Sequence, residues 1–177
     1  MQRSFAGPGI AYILSHLGEL ALRQGDYAQA RSYYQESLSL SERTGQRMNI
    51  FWGTVNLGYV ELQRGEQEQA RQTFQEARQF FQEAGSRIGI IYTLEGLATL
   101  AARQGQLERA VQLLGWADAV RQAIGDARPP VEQAGIDRDL EPIRAQLGPA
   151  AFAAAYEKGK ALTMDQAIAY AQSTSEL

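Results

Sequence analysis

From Ile10 to Gln24, apolar or small residues recur at Leu14, Leu17 and Ala21, with Ile13 and Leu20 beside them. That spacing predicts an α-helix with one buried face. Gly25-Asp26 ends the pattern, because glycine readily takes the left-handed conformation that closes a helix. A second helix is predicted from Tyr27 to about Thr44, with Ala30, Tyr34 and Ser37 at i, i+4 and i+7 and Gly45 as its stop. Both patterns then return. The frame Leu17-Gly18, Gly25, Ala30, Tyr34, Gly45 reappears as Leu57-Gly58, Gly65, Ala70, Phe74, Gly85 and as Leu97-Ala98, Gly105, Ala110, Leu114, Gly125, each time 40 residues on. A fixed period in this range marks stacked repeats. A helix-interior glycine costs about 1 kcal/mol relative to alanine, so small residues at Gly18, Gly58 and Ala98 predict the close approach of a neighbouring helix there, as do Ala30, Ala70 and Ala110.

Outside the repeats the pattern loosens. Residues 1–9 show no clear period, and Gly7-Pro8-Gly9 is a breaker cluster, so this stretch is read either as the frayed end of a preceding helix or as a disordered start. Three helix pairs follow at 10–47, 48–87 and 88–127, and 128–177 is expected to be a degenerate fourth unit with a capping helix. Pro129-Pro130 suits a linker that enters a helix at its first position, giving a helix over Val131–Leu147 that Gly135 weakens. After the break at Gly148-Pro149, a helix is expected over Ala150–Lys158, with Gly159 as its stop. Thr163-Met164-Asp165-Gln166 fits a capping box at the start of a last helix that runs to about Gln172.

Composition narrows the function classes. A chain of 177 residues that is 45% hydrophobic can fold as one domain burying about 70% of its unfolded surface. A net charge of -3 gives no positive footprint for nucleic acid, so no direct nucleic-acid partner is expected. With no cysteine there is no disulfide, thiolate metal site or cysteine nucleophile, which suits a reducing compartment. No apolar run reaches membrane-spanning length and Met1–Ile10 lacks a signal-peptide core, so the expectation is a cytoplasmic protein without a membrane partner.

The repeated frame resembles a tetratricopeptide repeat. The residues that carry the likeness are Leu14, Leu17, Gly18, Ala21, Ala30, Tyr34 and Ser37, then Thr54, Leu57, Gly58, Glu61, Ala70, Phe74 and Ala77, then Leu94, Leu97, Ala98, Ala101, Ala110, Leu114 and Ala117. Thr54 and Glu61 depart from the family pattern. So does the length, 40 residues against about 34 for the common unit; the extra residues are expected to lengthen the second helix. HEAT-type repeats match by length but do not account for the Leu-Gly and Ala-aromatic frame. The resemblance implies an all-α fold: a right-handed superhelical solenoid of antiparallel helix pairs with a C-terminal helical cap.

A second, narrower likeness covers most of residues 40–172. Gly85-Ser86-Arg87-Ile88-Gly89-Ile90, Leu94-Glu95-Gly96-Leu97-Ala98, Leu113-Leu114-Gly115-Trp116-Ala117, Pro129-Pro130 and Gly159-Lys160-Ala161-Leu162-Thr163 resemble the C-terminal repeat region of bacterial LuxR/MalT-like ATP-binding transcriptional regulators. That likeness implies a non-catalytic sensor or interaction arm of a signalling protein. Its partner would be a protein or peptide, with a small signalling peptide or self-association into a homo-oligomer as the alternatives.

Such proteins bind along their first helices. The family frame places Tyr12, Ser15, Glu19, Leu22 and Arg23 of the first copy on that surface, with Trp52, Val55, Asn56, Tyr59 and Gln63 of the second and Tyr92, Glu95, Thr99 and Arg103 of the third. Tyr12, Trp52 and Tyr92 recur at the 40-residue spacing. Two readings stand for them, ligand contact or packing between first helices, since aromatics serve both roles. The Lys/Asn clamp by which some family members hold a peptide carboxylate would fall on Ser15, Glu19, Asn56, Tyr92 and Gly96, and only Asn56 matches.

Catalytic chemistry has little to draw on. The single histidine, His16, has no accompanying nucleophile or metal-ligand spacing and reads as a helix residue. Gly159-Lys160 is not a phosphate loop, because Ala154 stands at the first glycine and Ala161 at the Ser/Thr position. Glu66, Glu68 and Glu76 interleave with Arg64, Arg71 and Arg78 as a solvated face. No cofactor, metal or catalytic residue is expected.

Overall fold

The computed structural model describes residues 6–173. Among them are nine helices and no strand: α1 (Ala6–Arg23), α2 (Tyr27–Thr44), α3 (Arg47–Arg64), α4 (Gln67–Glu83), α5 (Arg87–Arg103), α6 (Leu107–Ile124), α7 (Pro130–Leu147), α8 (Pro149–Lys160) and α9 (Met164–Gln172). The chain is all-α, built of consecutive packed helix pairs. It divides into two compact units, Met1–Gly89 and Ile90–Leu177.

The repeat is written into the helix ends. Every junction from α1 to the end of α6 carries a glycine with φ between 66° and 79°, at positions 25, 45, 65, 85, 105 and 125. After α1, the Gly25 N–H donates to the Leu22 carbonyl at 3.1 Å and the Asp26 N–H to the Ala21 carbonyl at 2.9 Å. These two bonds satisfy carbonyls that the helix end leaves open. The same pair of bonds recurs at the other five glycines. The 40-residue unit is therefore two near-equal halves: α1 to α6 have 18, 18, 18, 17, 17 and 18 residues. The extra length is shared by both helices of a pair, not confined to the second as expected, because each half carries its own glycine stop.

In the first unit, rings seat on the interior glycines. A Cβ on Gly18 would lie 2.8 Å from Tyr34 Cε1, and one on Gly58 would lie 2.8 Å from Phe74 Cε1. The recurrent glycine thus makes room for the aromatic of the second helix in its own copy. In the third copy both members change together, to buried Ala98 and Leu114. The core continues through Ala21, Ala30, Tyr34, Leu57 and Val60, with Leu38 packed against it.

Two expectations for α1 fail. The helix starts at Ala6 and runs through Gly7-Pro8-Gly9; proline in a first turn gives up an N–H that has no acceptor within the helix anyway. Residues 1–5 of the expected tail lie outside the described residues. The buried face is also narrower than the apolar pattern implied: Leu14 and Ala21 are buried, whereas Ile13, Leu17 and Leu20 are exposed.

The second unit departs from simple repetition after α6. Pro130 opens α7 at its first turn, as expected, but the helix also carries Pro142 in its interior, where proline removes one backbone bond. It is α8, not α7, that packs along α6. The contact is close: a Cβ on Gly115 would lie 2.4 Å from the Tyr156 carbonyl oxygen, and one on Gly159 would lie 2.0 Å from that of Gln112. Gly159 is therefore a packing position inside α8, not the stop expected of it; backbone-to-backbone approach excludes any side chain there. α7 anchors through buried Leu140 and Ile143. The Thr163–Gln166 capping box that starts α9 is present in both directions.

Candidate functional site

The residues expected on the first-helix surface fall into the two units. In the first unit α1 carries Tyr12, which is 61% exposed. Its ring meets His16 edge-on at 4.3 Å. His16 Nδ1 lies 3.6 Å from the Glu19 carboxylate, which also pairs with Arg23. Exposed pairs of this kind contribute only tenths of a kcal/mol, so this row is accessible and weakly held. Leu22 and Ser15 are half-buried, and the Ser15 and Ser37 hydroxyls are 2.8 Å apart.

On α3, Trp52 is half-buried and lies 5.2 Å from the Phe81 ring. Tyr59 is half-buried too, edge-on to Phe74 at 5.2 Å. Asn56 is half-buried, Gln63 is exposed and Val55 is fully enclosed. Helical spacing brings Trp52, Asn56, Tyr59 and Gln63 along one side of α3, with the two rings fixed from below and polar groups between and beyond them.

The second unit is organised differently. Tyr92 is half-buried on α5, with the Arg121 guanidinium 4.7 Å from its ring centroid. Glu95, expected on an open surface, is 4% exposed. Its carboxylate accepts from Arg121 at 3.0 Å twice, through Nε and Nη2, and from Arg128 at 2.5 Å. Arg128 also donates to Asp118 at 2.7 Å, and Asp118 accepts from the Tyr156 hydroxyl at 2.7 Å. Arg121 reaches Asp126 as well. Burial works against the Arg121 charge, but Glu95 and Tyr92 outweigh it and raise the pKa. Burial and then the hydrogen bond to Asp118 push the Tyr156 phenol up. An open cleft of about 340 Å³ lies beside this cluster, lined in part by Asp118, Gln122, Asp126 and Gln133. Arg103 is exposed at the far end of α5, and Thr99 is half-buried and donates to the Glu95 carbonyl at 3.1 Å.

Glu95 must be withdrawn from the accessible set. Helical phase put it on the first-helix surface, but the opposing guanidiniums close over it. Arg121, Arg128, Asp118 and Tyr156 were missed. A signal for them exists in the register: Val55 and Phe81 of the second copy correspond to Glu95 and Arg121 of the third, so a buried apolar pair is exchanged for opposite charges.

The family profile of the tetratricopeptide repeat matches residues 9–83 and again residues 49–123, the same profile displaced by one 40-residue unit. Together the matches cover more than half of the chain. The chain belongs to the tetratricopeptide repeat family. No curated protein and no solved structure matches it significantly. Tetratricopeptide repeats serve as scaffolds that bind proteins or peptides. The matched region ends within α6, in keeping with the departure that α7 makes from the repeat. Among the described residues no helix is long and apolar enough to cross a membrane, and no group of three or more histidine or carboxylate residues could hold a metal ion.

Proposed function

We propose that this chain is a non-catalytic, cytoplasmic interaction arm of a bacterial signalling or transcriptional regulator, and that it holds an extended or helical segment of a partner along its first helices. Tyr12, Glu19 and Arg23 on α1 and Trp52, Asn56, Tyr59 and Gln63 on α3 would make the contacts in the first unit, and Tyr92 and Arg103 on α5 would offer contacts within the second. The observation that carries this reading is the α3 row: two half-buried rings backed by Phe81 and Phe74, with the polar groups of Asn56 and Gln63 on the same side. Rings held from below keep their orientation without a partner, so little entropy is lost when one binds. The regulator context rests on the likeness to LuxR/MalT-type C-terminal regions.

The test pans a random linear-peptide display library on the purified chain. Enrichment of a defined motif is expected, with affinity falling about tenfold, or ~1.4 kcal/mol, when Asn56→Ala and Gln63→Ala are combined. Failure to enrich any motif, or binding that the double variant leaves unchanged, overturns the reading.

A further inference from the structure

Four apolar residues stand in a row on the outer side of α1: Ile10, Ile13, Leu17 and Leu20, exposed by 46, 58, 37 and 53%. The spacing of 3, 4 and 3 residues puts them on one stripe. The internal repeat says what kind of element such a stripe receives. Its counterparts on α3 are Ile50, Gly53, Leu57 and Val60, of which the last three are buried and α2 is the helix packed on that side. In the second unit the counterparts Ile90, Thr93, Leu97 and Leu100 are all buried. Only in the first copy does the stripe stand open among the described residues.

The α2–α3 contact also specifies the chemistry. Leu38 of α2 fills the space at Gly53, where a Cβ would lie 2.8 Å from Leu38 Cδ2. On α1 the large member of that pair is already present as Ile13, so the incoming residue has to be small. At the end of the contact, Arg31 Nη1 of α2 lies 3.2 Å from Glu66 Oε2. The counterpart of Glu66 is Asp26, an exposed carboxylate that caps α2 through Gln29 N–H with one oxygen. It calls for a cation in the Arg31 position. A second copy of this chain would bring another α1 stripe of isoleucine and leucine, large against large, without the small partner or the cation.

We propose that the outer face of α1 is a docking site for an antiparallel amphipathic helix of another protein, one that sets a small residue over Ile13 and an arginine beside Asp26. The site is separate from the first-helix surface of the proposed function.

The probe is a dye-labelled, helix-stapled peptide with the α2 sequence of residues 27–44 carrying Leu38→Ala, titrated into the intact chain and followed by anisotropy. Stapling removes the nucleation cost that leaves a free peptide of this length largely unfolded. Saturable binding is expected. It should weaken at least tenfold on Ile13→Glu or Leu20→Glu in the protein, both at exposed positions where the fold is checked by circular dichroism. It should weaken about fivefold when the peptide keeps Leu38 or carries Arg31→Glu. The absence of saturable binding, binding that both protein variants leave intact, or a concentration-dependent dimer of the chain that Ile13→Glu abolishes each overturns the proposal. A library peptide that still binds the Ile13→Glu variant shows that the first-helix reading stands or falls separately.

Discussion

Equivalent positions in the two units carry opposite chemistry on the same scaffold. In the first, Trp52 lies against Phe81 and Val55 is enclosed beside them. In the second, Tyr92 lies against Arg121, and Glu95 stands where valine stood. A ring tilted against a ring has become a ring against a cation, and an apolar residue has become that cation's counter-charge. The helices tolerate both because each arrangement is locally complete. The first satisfies itself by dispersion and excluded water. The second needs two guanidiniums against three carboxylates, each group holding at least one ion pair although Arg128 Nε has no hydrogen-bond partner, since charge taken from water is stabilised only by such pairing. The first arrangement leaves the surface above it open for contact; the second draws Glu95 inward and leaves an open cleft beside the cluster.

The most severe way to break this comparison is Glu95→Ala. It leaves Arg121 buried with Asp126 as its one remaining carboxylate and Arg128 with Asp118 as its own, and we expect a loss of about 3–5 kcal/mol. Urea unfolding followed by Trp116 fluorescence in a Trp52→Phe background reports on the second unit alone, since the chain has two tryptophans. Copying the first unit's pair, Glu95→Val with Arg121→Phe, should restore most of that loss. A double variant no more stable than Glu95→Ala would show that the two arrangements are not interchangeable.

A smaller effect tests whether the glycine–ring seat is a matched pair. Gly58→Ala should destabilise by about 1–3 kcal/mol, because overpacking against Phe74 outweighs the helix propensity that alanine adds. Adding Phe74→Leu copies the Ala98/Leu114 combination and should recover part of the loss in urea unfolding followed by Trp52 fluorescence in a Trp116→Phe background, which reads the first unit. Equal stability of wild type and Gly58→Ala would break the argument.

The smallest effect concerns Glu61, a buried carboxylate where the other copies have Ala21 and Ala101. Burial raises its pKa, the hydrogen bond to Thr73 being the weaker, opposing influence, and Oε2 has no hydrogen-bond partner. A raised pKa in the folded state means that its contribution is fully present below the ordinary carboxylate value near 4.3 and is lost as pH rises through the raised value. Glu61→Gln should therefore add about 1 kcal/mol at neutral pH and flatten the dependence of stability on pH through that window. A variant less stable than wild type at pH 7 would show that the ionised carboxylate is favoured in place.

Much of the fold was legible because its signals are local. Tyr27, Thr44 and Gly45 mark the bounds of α2 with no tertiary information, and Thr163 with Gln166 marks the start of α9. The candidate site was less legible. Helical phase puts Trp52, Asn56, Tyr59 and Gln63 on one side of α3, but the same phase put Glu95 in the open. Phase gives direction from one helix axis and is blind to a guanidinium arriving from a residue more than 20 positions away. Ile13 and Leu20 show the converse: their apolarity implied burial, yet apolarity says only that a cover is favourable, not that one is present.

The sequence by itself determined the 20-residue beat of glycine-closed helices, the return, 40 residues on, of Gly18 and Tyr34 as Gly58 and Phe74, and membership in a repeat architecture, since backbone conformation and periodic burial are encoded residue by residue. Tertiary structure alone decided that α8 displaces α7 from the side of α6, that Gly159 is a contact instead of a stop, and that Glu95 belongs to a buried ion cluster. Each of those depends on which surfaces meet, and for charged or glycine positions the free energy of meeting is set by the partner and not by the residue.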